Sequence, residues 1–145
     1  MAPMTLTRDR RTELLAAAPL FAGVAAADLE RLAGRTVEVE FPAGRAIARQ
    51  GEVGTGFFVI ATGAAQVIRD GEVIAHLGPG DFFGELSVLD GQPRTAQVVA
   101  TEPTVCLGLA SWEFEAAIGE EPSVALAVLR GLAGRLRGLT EGTHH

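Results

Sequence analysis

Between residues 80 and 96 the chain runs Gly80-Asp81-Phe82-Phe83-Gly84-Glu85-Leu86-Ser87-Val88-Leu89-Asp90-Gly91-Gln92-Pro93-Arg94-Thr95-Ala96. Inside a β-rich stretch, Gly84 to Leu89 reads as about one turn of helix. The start of such a turn exposes unpaired backbone N–H groups and the positive end of a dipole. A glycine at that start lets an anion approach the backbone closely. Arg94 adds a planar fork that matches phosphate oxygens two at a time. Glu85 is a pure hydrogen-bond acceptor when ionised, suited to a sugar hydroxyl. An anion site with an arginine, beside a carboxylate for a hydroxyl, describes a sugar phosphate.

Each residue also has a plainer reading. Glu85 and Arg94 alone could form a salt bridge that stiffens a loop. Their coincidence with Gly84, the short helix and Pro93-Arg94-Thr95-Ala96 favours binding instead. Phe82 and Phe83 enter a strand-to-helix turn among apolar neighbours and are expected in the core. Trp112 opens a helix and is expected to pack rather than touch ligand. His76 stands alone among apolar strand residues, short of the several donors a metal needs. No Ser, His and Asp set has the setting of a nucleophile, so no catalytic residue and no metal ligand is assigned. Cys106 lies in Thr104-Val105-Cys106-Leu107-Gly108-Leu109 and is expected to be a buried, inert thiol.

The elements that must position these residues follow from the pattern of punctuation. Residues 7–34 read as short helices: Thr7 to an alanine run stopped by Pro19, then Ala26 to Ala33 with Leu29, Leu32 and Ala33 on one face and Gly34 as cap. Residues 35–110 switch to strands punctuated by turns: 36–41 alternates with period two, 57–60 and 66–69 are short β-rich runs bounded by glycines, and 72–74, 97–100 and 105–107 follow. Asp70-Gly71 is a strong hairpin signal. Many short strands at this spacing predict an antiparallel jelly-roll sandwich or barrel. Residues 111–139 return to helix, with Ser111 as cap, Gly119 as terminator and Pro122 near the start of a longer helix. Leu126, Leu129, Leu132, Ala133 and Leu136 give that helix an apolar stripe. Its glycines, Gly131, Gly134 and Gly138, suggest either a marginal lid that orders over ligand or close packing across a dimer.

Composition sets the bounds. The 145 residues suit one domain spanning 1–145, with 48% apolar and 21% charged residues. Twelve basic against eighteen acidic residues give a net charge of −6. That balance speaks against a nucleic-acid partner, which needs clustered basic residues. No stretch approaches membrane-spanning length and no leader pattern opens the chain, so a cytoplasmic protein is expected.

The run Phe83-Gly84-Glu85-Leu86-Ser87 with Pro93-Arg94-Thr95-Ala96 resembles the phosphate-binding cassette of cyclic nucleotide-binding domains. The resemblance covers nearly the whole chain, including the glycine punctuation at Gly51, Gly54 and Gly63. It implies a mainly β fold with flanking helices: an eight-stranded antiparallel jelly roll, or double-stranded β-helix, with short N-terminal helices, a cassette helix and two C-terminal helices. It implies that Glu85 accepts from the ribose 2′-hydroxyl and that Arg94 pairs with the equatorial phosphate oxygen. Amides around Leu86 and Ser87 would hold the phosphate, with Gly84 allowing the approach and Thr95 and Ala96 completing the cassette. Thr95 matches a position that can touch a guanine amino group. Cyclic AMP is the expected ligand and cyclic GMP the alternative, with no further cofactor. The resemblance implies a non-catalytic sensor that signals through its C-terminal helices, to a homodimer partner or to an unidentified effector protein or domain. The chain stops at His145 without a helix-turn-helix, so direct DNA binding is not expected. A dimerisation domain of the same fold without ligand, or a regulatory domain cut from a larger enzyme or transporter, are the rival readings.

Overall fold

The computed structural model describes residues 6–18, 21–52, 56–84 and 92–140. Helix α1 spans Arg8–Ala17, capped by the Thr7 hydroxyl, which accepts from the Arg10 amide at 3.1 Å. Helix α2 spans Ala26–Ala33 and buries Leu29, Leu32 and Ala33. The strands are β1 (Val37–Phe41), β2 (Ala46–Ala48), β3 (Gly56–Thr62), β4 (Ala65–Arg69), β5 (Glu72–Leu77), β6 (Phe82–Phe83), β7 (Gln97–Ala100) and β8 (Thr104–Ala110). Helices α3 (Ser111–Glu120) and α4 (Pro122–Thr140) complete the order.

Two four-stranded antiparallel sheets form the roll, in the orders β1-β8-β3-β6 and β2-β7-β4-β5. Strands β3 and β8 are apolar on both faces, because each separates two cores. Phe57, Val59 and Ala61 with Leu107 and Leu109 face the helices, where Leu14, Leu15, Phe21, Leu32, Phe114 and Val124 meet them. Ile60 and Cys106 belong instead to the interior of the roll, with Ala48, Ala65, Phe83 and Val98. Phe21 joins the layers, edge-on to Phe57 at 5.6 Å and to Phe114 at 6.1 Å.

The expected hairpin is present. Asp70 (φ 52°) and Gly71 (φ 83°) link Arg69 to its partner Glu72, and two successive positive φ values match the right-handed twist of the strands. The Gln50 side chain ties the turn to the β2–β3 loop, accepting from the Asp70 amide at 3.0 Å and donating to its carboxylate at 2.8 Å.

The C-terminal helices differ from expectation in four ways. Ser111 is the first helical residue, not the cap; β8 runs straight into α3, and extended Ala110 takes the cap position without a side-chain bond. Gly119 lies within α3, which ends at Glu121 in extended conformation (φ −126°), as a residue before proline prefers. Trp112 is 66% exposed rather than packed, because Phe114 and Ala117 form the inward face. On α4 the inward face is Val124, Ala127 and Val128. Leu126, Leu129 and Leu136, exposed by 46%, 63% and 62%, lie on the opposite side at about 100° per residue. Only Leu132 of the expected stripe packs against the core.

Candidate functional site

Strand β6 delivers Phe82 and Phe83 to the edge of β3, where they pair with Val59 and Phe58. Phe83 is buried in the roll, stacked on Phe58 at 5.4 Å between ring centres, and both phenylalanines serve as core as expected. The chain then turns at Gly84 with φ 96°. A Cβ there would lie 2.6 Å from the Gly56 carbonyl oxygen and 2.9 Å from Arg94 Nη1. Both the dihedral and the space restrict this position to glycine.

Arg94 reaches the same point from the segment that precedes β7. Its amide donates to the Glu52 carbonyl at 2.7 Å, and its carbonyl accepts from the Gly51 amide at 2.9 Å. This backbone clamp to the β2–β3 loop fixes where the side chain starts. The guanidinium Nη2 then donates to the Gly56 carbonyl at 3.0 Å, beside Gly84. The guanidinium is thereby held at the start of β3.

Arg94 also lines a cavity of about 150 Å³ with Ala46, Ile47, Ala48, Arg49, Glu52 and Phe58. Ligand pockets commonly measure roughly 300–1,000 Å³, so this volume suits a sugar-phosphate-sized group rather than a whole nucleotide. Arg49 and Glu52 both line the cavity and pair with each other at 3.9 Å, both about two-thirds exposed, a pair that solvent weakens. The lining combines the Arg94 guanidinium with the apolar side chains of Ala46, Ile47, Ala48 and Phe58. It can hold an anion and shield an adjoining sugar.

Of the expected binding residues, the structure brings Gly84 and Arg94 together. Thr95 is exposed and Ala96 partly buried just before β7. Glu85, Leu86, Ser87 and the expected cassette helix lie outside the described residues. Sequence reasoning missed the Gly56 carbonyl, the Gly51–Glu52 backbone, Arg49 and the short β2 wall. Glycine at 51 and 56 was the only available signal for the first two.

Elsewhere, Cys106 is fully buried, and desolvation pushes its thiol up to about 12, which leaves no thiolate near neutrality. Among the described residues, no three His, Cys, Asp or Glu side chains converge on a point a metal could occupy. No described helix is long and apolar enough to cross a membrane.

With this geometry in place, comparison with known proteins points one way. The sequence model of the cyclic nucleotide-binding domain matches residues 38–121. A CRP-like cAMP-activated global transcriptional regulator of Mycobacterium tuberculosis is 32% identical over 130 residues, covering 86% of this chain and 58% of that protein. The cyclic AMP receptor protein of Thermus thermophilus is 35% identical over 124 residues, covering 82% of this chain and 57% of that one. Among solved structures, the N-terminal domain of a transcriptional regulator from Streptomyces coelicolor superposes with a TM-score of 0.81 at 30% identity, covering 90% of this chain and 94% of that one. The chain thus spans less than two thirds of the length of the curated relatives it matches.

Proposed function

The chain belongs to the cyclic nucleotide-binding domain family, and from that premise we propose that it is a non-catalytic sensor of cyclic AMP, with cyclic GMP as the second choice. The observation that carries this reading is the meeting of Gly84, Gly56 and Arg94, a left-handed glycine with an arginine fork held beside it. In the proposed complex Arg94 pairs with the equatorial phosphate oxygen. Glu85 accepts from the ribose 2′-hydroxyl, and the amides of Leu86 and Ser87 complete the phosphate cradle. Thr95 and Ala96 close the cassette toward the base. Two named relatives are described as cAMP-activated or as cyclic AMP receptors, which supports cyclic AMP as the first ligand to try.

A ligand acts on such a module only through unequal affinity for two arrangements of it. We propose helix α4 as the element that moves, because Leu132 is the one hydrophobic residue beyond Val128 that packs against the core among the described residues. Beyond Val128, a Cβ added at Gly131, Gly134 or Gly138 would meet no described atom within 4 Å. The helix is proposed to close over the base when nucleotide binds. We place the module in the cytoplasm, acting on an effector protein or domain rather than on nucleic acid.

The outward leucines support a partner. Leu126, Leu129, Ala133 and Leu136 recur at intervals of three and four, the spacing of a helix–helix seam. A second copy of the chain is the proposed occupant. The same face favours the rival reading, a dimerisation domain that binds no nucleotide. Calorimetric titration with cyclic AMP, cyclic GMP and linear AMP separates the two. The sensor reading expects heat from a cyclic nucleotide at micromolar concentration; silence up to millimolar concentration leaves the dimerisation reading.

A further inference from the structure

At the junction of α3 and α4 a carboxylate is buried with one of its two oxygens unpartnered among the described residues. Glu121 is 5% exposed. Its Oε1 accepts from Arg31 Nε at 2.8 Å, while Oε2 is buried with no hydrogen-bond partner among the described residues. Arg31 also pairs with Asp28, one turn earlier on α2. The second Asp28 oxygen accepts from the Ser123 hydroxyl, and that hydroxyl in turn accepts from the Ala25 amide at 3.4 Å. Helix α2 therefore holds the start of α4 on both sides of Pro122, at Glu121 and at Ser123.

A buried polar atom without a partner raises the free energy of the arrangement that contains it. Any arrangement that lets water reach Glu121 Oε2 recovers part of that cost, which brings the held and released forms closer in energy. The held form also keeps α4 off the cavity. Its buried residues Val124 and Val128 pack with the helices, and among the described residues none of α4 lines the cavity at Arg94.

We propose that Arg31 and Glu121, with Asp28 and Ser123 around them, form a latch that holds α4 away from the ligand cavity and opposes nucleotide binding until it releases. The ligand half of this inference rests on the nucleotide-binding reading; the mechanical half does not. For α4 to cover a group bound beside Arg94, it must pivot at Glu121–Pro122. That pivot carries Ser123 off Asp28 and draws Glu121 from Arg31. An occupied cavity favours the released form, and the latch reduces apparent affinity by the fraction of molecules it holds.

The test uses the whole chain as wild type, Glu121→Gln, Arg31→Gln and the double variant, with thermal melts to confirm folding. Hydrogen exchange of amides 124–134 is followed without ligand, and cyclic AMP affinity by calorimetry. Each single variant is expected to speed exchange of those amides about tenfold while α3 amides 114–118 stay unchanged. Each is expected to tighten cyclic AMP binding about fivefold or more, within the usual range of coupling between sites. The double variant should add little to either single one, because both cut the same contact. Arg31→Lys, which keeps the charge, should return part of the wild-type behaviour. If a variant does not fold, Ser123→Ala removes only the outer contact and should give a smaller change in the same direction. Wild-type exchange and wild-type affinity across the variants would overturn the latch while leaving nucleotide binding intact. Faster exchange with no cyclic AMP binding by any protein would sustain the latch and overturn the nucleotide reading.

Discussion

Gly84 and Arg94 are packed so closely that a single added carbon on the glycine would sit 2.9 Å from Arg94 Nη1. The proposed anion site thus depends on an absent side chain as much as on a present one. Gly84→Ala must tolerate a φ of 96° and a contact of 2.6 Å with the Gly56 carbonyl. Strain of this kind costs about 1–3 kcal/mol at one residue. A urea titration should show that loss, and calorimetry should show nucleotide binding falling further than stability does, because the guanidinium is pushed from its place. Unchanged stability together with unchanged binding would mean that the turn relaxes elsewhere.

Cys106 gives a prediction in alkaline solution. All twelve basic residues are Arg and the chain has no Tyr. The α-amino group titrates near pH 8, so Cys106 is the side chain whose ordinary range opens above pH 9. Burial raises its value from 9.0 to about 12. Above pH 9 the unfolded thiol has lost its proton while the folded one keeps it, so the unfolded state binds fewer protons. Stability is therefore full below pH 9 and falls as pH rises toward 12, by up to about 1.4 kcal/mol per unit. Urea denaturation at pH 8, 9.5 and 10.5 should show this slope in wild type and a flat profile in Cys106→Ala. Equal slopes in the two proteins would contradict it.

The outward face of α4 predicts an assembly defect without a folding defect. Replacing Leu129 and Leu136 together by Gln removes two side chains that are 63% and 62% exposed in the single chain. Exposed substitutions of this kind usually change stability by no more than about 0.5 kcal/mol each. Sedimentation equilibrium should find wild type as a dimer and the variant as a monomer with nearly the same melting temperature. A monomeric wild type would remove the proposed seam.

Much of the fold was legible where a local rule and the tertiary structure agree. Asp70-Gly71 specifies its hairpin with two positive φ values, and Pro122 opens α4, because these conformations are set by the residues themselves. Strands β2 and β6, at three and two residues, are too short to show periodicity. Ser111 and Gly119 mislead a local reading because the direct run of β8 into α3 and the demand of Pro122 override weaker local signals. The apolar stripe on α4 was visible, but periodicity alone does not say whether the core or another molecule covers it. At the site, Arg94 and Gly84 were legible as residue types. Their supports were not, since the Gly56, Gly51 and Glu52 contacts come from backbone atoms that every residue carries.

Calorimetric titration of cyclic AMP into wild type and Arg94→Ala asks whether Arg94 holds a cyclic nucleotide by its phosphate. Loss of one charge-assisted contact removes about 1.5–3 kcal/mol, or roughly 10- to 150-fold in affinity. Because Arg94 also donates to the Gly56 carbonyl, a parallel urea titration should show only a smaller loss of stability, confirming a folded variant. Micromolar binding to wild type and at least tenfold weaker binding to the folded variant are expected. Equal affinity in the two proteins would contradict the proposed role of Arg94.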